Sequence, residues 1–420
     1  MTNRRDFLQG AGLVSATALA TPGLAQEAMM RGIEPGMNNF ADLYDIDRSI
    51  ANFDAAYYGA MPRPVHAEYL RQTEWVNRHN SLFLRNALHE PRDMALIRSR
   101  KAVAGLLGAS AGEVALANGG TEALYSLIVN YRPLSSGDAV IVADVDYDEM
   151  QHAMAHLSET RGAHLVPFAL PEPASSANVL AAYEKVLRET PRAKLLLLTH
   201  MSNRSGLIPP VREIIAFAKK RGVDVILDSA QTVGQVPFTV DEIGADFIGF
   251  SLHKWVGAPL GTGGIYIRKE RLPDIAPFLG NRIREPEDIR GRILTGTINY
   301  AAHLTIPTAI ELHQRIGPER KLEHLRGLRN RWFQQVRDLP NLEWQTVDEP
   351  ELYGAIASFR PKAFSSYEDF QALQARLARE RQVLIVAKRG LEKGPVMRVT
   401  PSLFTTPEEV DSLVGALRFL

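Results

Sequence analysis

Residues 246–265 read DFIGFSLHKWVGAPLGTGGI, and one side chain in them demands an explanation. The apolar run 247–250 has the length of a buried strand, and the turn after it carries a single lysine, Lys254, among apolar and glycine residues. A charged amine is costly in such surroundings unless it is put to use. Held there, its pKa falls, and the neutral amine can form a Schiff base with an aldehyde.

Four other short apolar runs share this form. VALA (114–117) leads into Asn118, Gly119, Gly120 and Thr121, and AVIVA (139–143) leads into DVDYDE. LLLL (195–198) leads into THMSNRSG, and VDVIL (223–227) into DSAQ. Between about 60 and 300 these runs alternate with helix-like segments, which predicts an α/β domain with a mostly parallel sheet. Ligands in such sheets sit beyond the carboxyl ends of the strands, so five polar ends converge on one site. After about residue 300 a long helix leads into a smaller α+β region, with strands near 354–361 and 396–401.

The best-known aldehyde partner for such a lysine is pyridoxal phosphate, whose ring nitrogen requires a carboxylate. Asp228, 26 residues before Lys254 and at the preceding strand end, has that chemistry. Gly119, Gly120 and Thr121 open a helix, where free N–H groups and the helix dipole favour a phosphate. Ser251 and His253 flank the lysine turn as two further donors.

With these residues in hand, 246–265 resembles the lysine signature of the class V aminotransferases, fold type I pyridoxal-phosphate enzymes. The resemblance spans about 45–420, and within the family it is greatest to the isopenicillin N epimerase-like branch. It implies a large domain at 61–300, a small C-terminal domain at 301–420, and an N-terminal segment, 26–60, packed on the latter. It implies that Lys254 links to the cofactor, that Asp228 meets the ring nitrogen, and that Gln231 bonds the phenolic oxygen beside Asn203. By the same resemblance Gly120, Thr121, Ser251 and His253 are expected to hold the phosphate. Tyr147 falls where many relatives stack a histidine on the ring, and an aromatic stacks equally well. Thr297 matches the segment that reaches a neighbouring subunit's phosphate, which implies a homodimer. Arg398 matches the arginine that grips the substrate carboxylate, a bidentate task. The stretch 52–62 resembles the substrate-side loop, with Tyr57 or Tyr58, and Tyr58 for preference, lining the cavity. Leu252 departs from the small residue usual in the lysine turn.

Composition removes several classes. Lys plus Arg and Asp plus Glu number 48 each in 420 residues, so no global field favours nucleic acid or an anionic membrane. The basic stretch 320–339 spaces Leu322, Leu325, Leu328, Trp332 and Val336 as an amphipathic helix with a solvated basic face. Glu149, His152 and His156 share a helical face, but no third ligand or HExxH pattern accompanies them, so no metal site is expected. The chain has no cysteine, which disfavours the family's cysteine desulfurases because their persulfide carrier has no counterpart.

Arg4 and Arg5 precede a mildly apolar stretch and small residues at Gly23 and Ala25. The run is too weakly apolar for a stable membrane anchor. It resembles a twin-arginine export signal over 1–25, which implies passage through the twin-arginine translocation machinery to the periplasm. That leader adds a resemblance to the exported pyridoxal-phosphate enzymes of pyoverdine maturation, which modify a siderophore precursor. The expected substrate is therefore an amino acid or a peptidic metabolite altered at its α-amino centre. Epimerisation, transamination and C–S lysis stay open, since the α-carbon bond aligned with the ring decides among them.

Overall fold

The computed structural model describes residues 39–88, 92–294 and 296–420; the leader, 1–25, lies outside the described residues. After the short strand β1 (Ala51–Asn52), seven strands build the central sheet. They are β2 (Val114–Ala117), β3 (Ala139–Ala143), β4 (His164–Phe168), β5 (Ala193–Thr199), β6 (Asp224–Asp228), β7 (Phe247–Ser251) and β8 (Gly263–Ile267). Their order is β2-β8-β7-β6-β5-β3-β4. All pairings are parallel except those of β8, which runs against both β2 and β7.

The leucine run shows why this sheet is two-sided. Leu196 and Leu198 join one core with Ile141, Leu227 and Ile248. Leu195 and Leu197 join another, on the opposite face, with Val140, Val142 and Ile226. Successive side chains on a strand point to opposite faces, so an unbroken apolar run is what a sheet covered by helices on both sides requires. Leu252, the departure noted in the lysine turn, is fully buried in the first core.

The second domain holds β9 (Leu342–Trp344), β10 (Ala357–Pro361), β11 (Val383–Leu384), β12 (Val386–Lys388) and β13 (Val396–Val399). Four of these form an antiparallel sheet ordered β12-β13-β10-β9, while β11 pairs in parallel with β1. Ala51 and Phe53 enter the core of this domain beside Phe359, Phe370 and Met397. Phe40, Leu43 and Tyr44 belong instead to the core that fills the large domain and the domain junction, with the Tyr44 ring 5.8 Å from that of Phe404. The described part of the N-terminal segment, 39–60, therefore contacts both cores.

Packing moves the domain boundary from 300. The helix Tyr300–Ile316 buries Ile306, Ala309, Ile310 and Leu312 in the large-domain core. In the next helix, Pro318–Val336, Leu325 belongs to the large domain, and Leu328, Trp332 and Val336 to the small one. The division falls inside that helix. Its basic residues are also less solvated than the sequence pattern implies. Arg329 is 1% exposed, with its guanidinium 3.7 Å from the Phe333 ring centre and 3.9 Å from that of Tyr353. It is paired with Asp348 at 2.8 Å, and the two flanking rings make its burial tolerable. Among the described residues no helix is long and apolar enough to cross a membrane.

Candidate active site

All five polar strand ends meet in one cavity of about 370 Å³ at the domain junction. Its lining includes Gly120, Thr121, Tyr147, Asn203, Asp228, Gln231, Ser251, His253, Lys254 and Arg398.

At one end the chain builds an anion cradle. The helix Gly120–Val129 starts after Gly119, whose φ of 139° favours glycine. A Cβ at Gly119 would lie 3.1 Å from the His253 ring, and one at Gly120 would lie 2.7 Å from the Ser251 hydroxyl. Two glycines thus leave the space to backbone donors, and the first N–H groups of a helix lack intrahelical partners. The Gly120 N–H donates to Ser251 Oγ at 3.1 Å, so the Ser251 hydroxyl hydrogen stays available to an anion. His253 Nδ1 lies 2.9 Å from the Thr262 carbonyl and must donate to it. Nε2 then donates only when the ring is protonated, which burial opposes and a bound phosphate favours.

Lys254 and Asp228 occupy the middle. Burial lowers the Lys254 pKa to about 8, with the nearby Asp228 charge opposing the shift. Burial pushes the Asp228 carboxyl up, against the Ala230 N–H bond and the Lys254 charge. Oδ1 accepts that N–H at 2.9 Å. Behind them lies a carboxylate that the sequence reading did not single out. Asp146 accepts from Thr199 Oγ1 and from the Ala143 N–H, each at 2.7 Å, and burial raises its pKa to about 7. Only a neutral amine attacks an aldehyde. Capture of pyridoxal phosphate by the apoprotein should therefore accelerate with rising pH, with a midpoint near 8 and a plateau above it. Stopped-flow absorbance across pH 6–10 checks this.

Gln231 is held on both sides. Its Nε2 donates to the Ala56 carbonyl and its Oε1 accepts from Trp255 Nε1, both at 2.9 Å. That fixes the amide orientation and leaves one N–H for a ring oxygen. Trp255→Phe should strand the buried Oε1 and lower stability by about 1–3 kcal/mol, measurable by denaturant unfolding.

Arg398 is buried, donating to the Asn203 carbonyl at 2.7 Å and pairing with Asp54. Its Nε has no partner. Tyr147 precedes the first turn of the helix Asp148–Arg161 without capping it through its side chain, and it lines the cavity. Two expected residues are placed elsewhere. Tyr57, not Tyr58, lines the cavity. In this short segment, Gly59 donates to the His253 carbonyl and packs against the Lys254 backbone, fixing which neighbour faces inward. Thr297 is exposed and borders a different hollow, with Arg85, Arg92, Arg100, Arg284 and Arg290. Within one chain it does not join the site. Arg204, next to Asn203, is buried and paired with Asp148.

The family profile described as aminotransferase class-V matches residues 69–413. The chain belongs to the class-V aminotransferase family. Isopenicillin N epimerase from Streptomyces clavuligerus is 27% identical to this class-V chain over 397 residues, 89% of this chain and 95% of that protein. Putative L-cysteine desulfhydrase 1 from Oryza sativa subsp. japonica is 30% identical over 284 residues, 62% of this chain and 57% of that protein. A solved C-DES variant with glycine covalently linked to its PLP cofactor shares the fold. Its TM-score is 0.77 at 18% identity, over 91% of this chain and 99% of that one.

The cavity fits the family's cofactor. The glycine cradle, the free Ser251 hydroxyl hydrogen and His253 suit a phosphate, Asp228 suits a ring nitrogen, and Lys254 suits an aldehyde. This class-V protein is a pyridoxal-phosphate enzyme.

Proposed function

We propose that the protein is an exported pyridoxal-phosphate enzyme acting at the α-amino centre of an amino acid or peptidic metabolite. The reaction is epimerase-like or a modification of a siderophore precursor. One observation carries the reading: Lys254, Asp228 and Arg398 line a single cavity. Likeness to isopenicillin N epimerase over 89% of the chain supports the epimerase-like choice. Arg4 and Arg5 support twin-arginine export to the periplasm, the route for folded proteins. The exposed apolar side chains Ile283 and Leu294 beside Thr297 support a homodimer.

When bound, pyridoxal phosphate supplies an electron sink for charge developing at the substrate α-carbon. The chain's residues do the rest. Asp228 keeps a proton on the ring nitrogen, and Gln231 donates to the phenolic oxygen. Arg398 orients the substrate carboxylate, and Tyr147 stacks on the ring. Lys254 takes the α-proton and returns it. Gly120, Thr121, Ser251 and His253 anchor the phosphate.

A second reading, C–S lysis, rests on the 30% identity to the desulfhydrase. Mass spectrometry of amino acids and peptidic metabolites incubated with holoenzyme in heavy water separates the two. A gain of one deuteron with no other change is the expected result. Release of ammonia and a keto acid from a sulfur-containing substrate would establish the lyase instead. Conversion to a keto acid that depends on a keto-acid acceptor would mark a true aminotransferase.

A further inference from the structure

The hairpin 386–399 places a second cation in the cavity wall. Val386 stands opposite Arg398 in the β12–β13 ladder, and Lys388 stands opposite Val396. Residues two apart on a strand share a face, so Lys388 and Arg398 share theirs as diagonal neighbours, about 7–8 Å apart at their bases. Both line the cavity.

Their charges are balanced differently. Arg398 is paired with Asp54, and the other nearby cation, Arg204, is paired with Asp148. These same four groups surround Lys388 electrostatically. Both acids are engaged elsewhere, and the Lys388 ammonium makes no hydrogen bond or ion pair among the described residues.

The hairpin is also held in place. The Ala387 N–H donates to Gln374 Oε1 at 2.9 Å, and the Glu392 N–H to Asp144 Oδ2 at 3.0 Å. Lys393 Nζ donates to the Glu172 carbonyl at 2.7 Å. A Cβ on Gly390 would lie 2.5 Å from the Arg204 guanidinium, so the loop is seated against that ion pair. Lys388 therefore projects from a fixed base.

We propose that Lys388 is a specificity residue which, together with Arg398, selects amino acids carrying a second carboxylate. Arg398 takes the α-carboxylate, as in the functional reading above on which this inference rests, and Lys388 takes the side-chain carboxylate.

The test titrates holoenzyme with glutarate and adipate, which carry two carboxylates, and with hexanoate, which carries one, by calorimetry. None has an amino group, so no turnover intervenes. Wild type should bind the dicarboxylates at least about tenfold more tightly than hexanoate. Lys388→Met should remove that advantage while leaving hexanoate within about twofold, and Lys388→Arg should restore most of it. Retained cofactor absorbance reports that each variant is folded. Equal loss for both ligand types would mean that Lys388 serves the α-carboxylate, and no loss would mean that it serves neither; both overturn the proposal. Arg398→Gln tests the underlying reading separately. If hexanoate binding is unmoved by that change, Arg398 is not the α-carboxylate group, whatever Lys388 does.

Discussion

Lys254→Ala is expected to lower kcat by about 10⁴-fold or more while leaving the protein folded. The side chain supplies both the amine that captures the cofactor and the proton carrier beside the α-carbon, so two functions disappear with one truncation. Stability should not fall in proportion. Burial already drives the amine toward its neutral form, with a pKa of about 8, so the folded state loses little when that charge is removed. The pairing of retained melting temperature with lost turnover and lost covalent cofactor absorbance is the diagnostic result. Turnover above about one per cent of wild type would remove Lys254 from its assigned role.

Asp228→Asn should cost about 10²–10³ in kcat, with pyridoxal phosphate still bound. The amide has nearly the carboxylate's shape and keeps the acceptor for the Ala230 N–H, but no longer carries charge. A second consequence checks the electrostatics independently of turnover. Asp228 raises the Lys254 pKa, so its neutralisation should move the midpoint of cofactor capture below 8. An unshifted midpoint would show that the two groups are not coupled.

The parts of the site legible in the sequence are those set by short-range chemistry. A buried strand followed by a polar turn is visible as a local pattern, and all five such runs lead into the cavity. Gly119 and Gly120 were readable because a strand-to-helix turn facing an anion has few alternatives. What the sequence hid depends on contacts between distant segments. The antiparallel run of β8 inside an otherwise parallel sheet leaves no mark in its own composition. The choice of Tyr57 over Tyr58 depends on how Gly59 meets the lysine turn, almost 200 positions away. Lys388 had a signal: two short runs flank Gly390 and Gly394, and hairpin parity puts Val386 opposite Arg398. That signal becomes readable only once the hairpin register is known. Thr297, which the family resemblance assigns to a neighbouring subunit's site, borders a separate hollow within one chain.

The segment 51–59 has a consequence for when the protein becomes competent. It pairs with β11 through Ala51 and Asn52, joins Arg398 through Asp54, and reaches the lysine turn through Gly59. Its partners near 383 and 398 lie more than 300 positions later in the chain. A nascent chain can form the glycine cradle and the central sheet while translation continues, but the β1–β11 pairing and the Asp54–Arg398 ion pair must wait for residues 383–399 to emerge from the ribosome. Assembly of the site thus follows synthesis of residues 383–399, whatever the order in which the central sheet and the glycine cradle form.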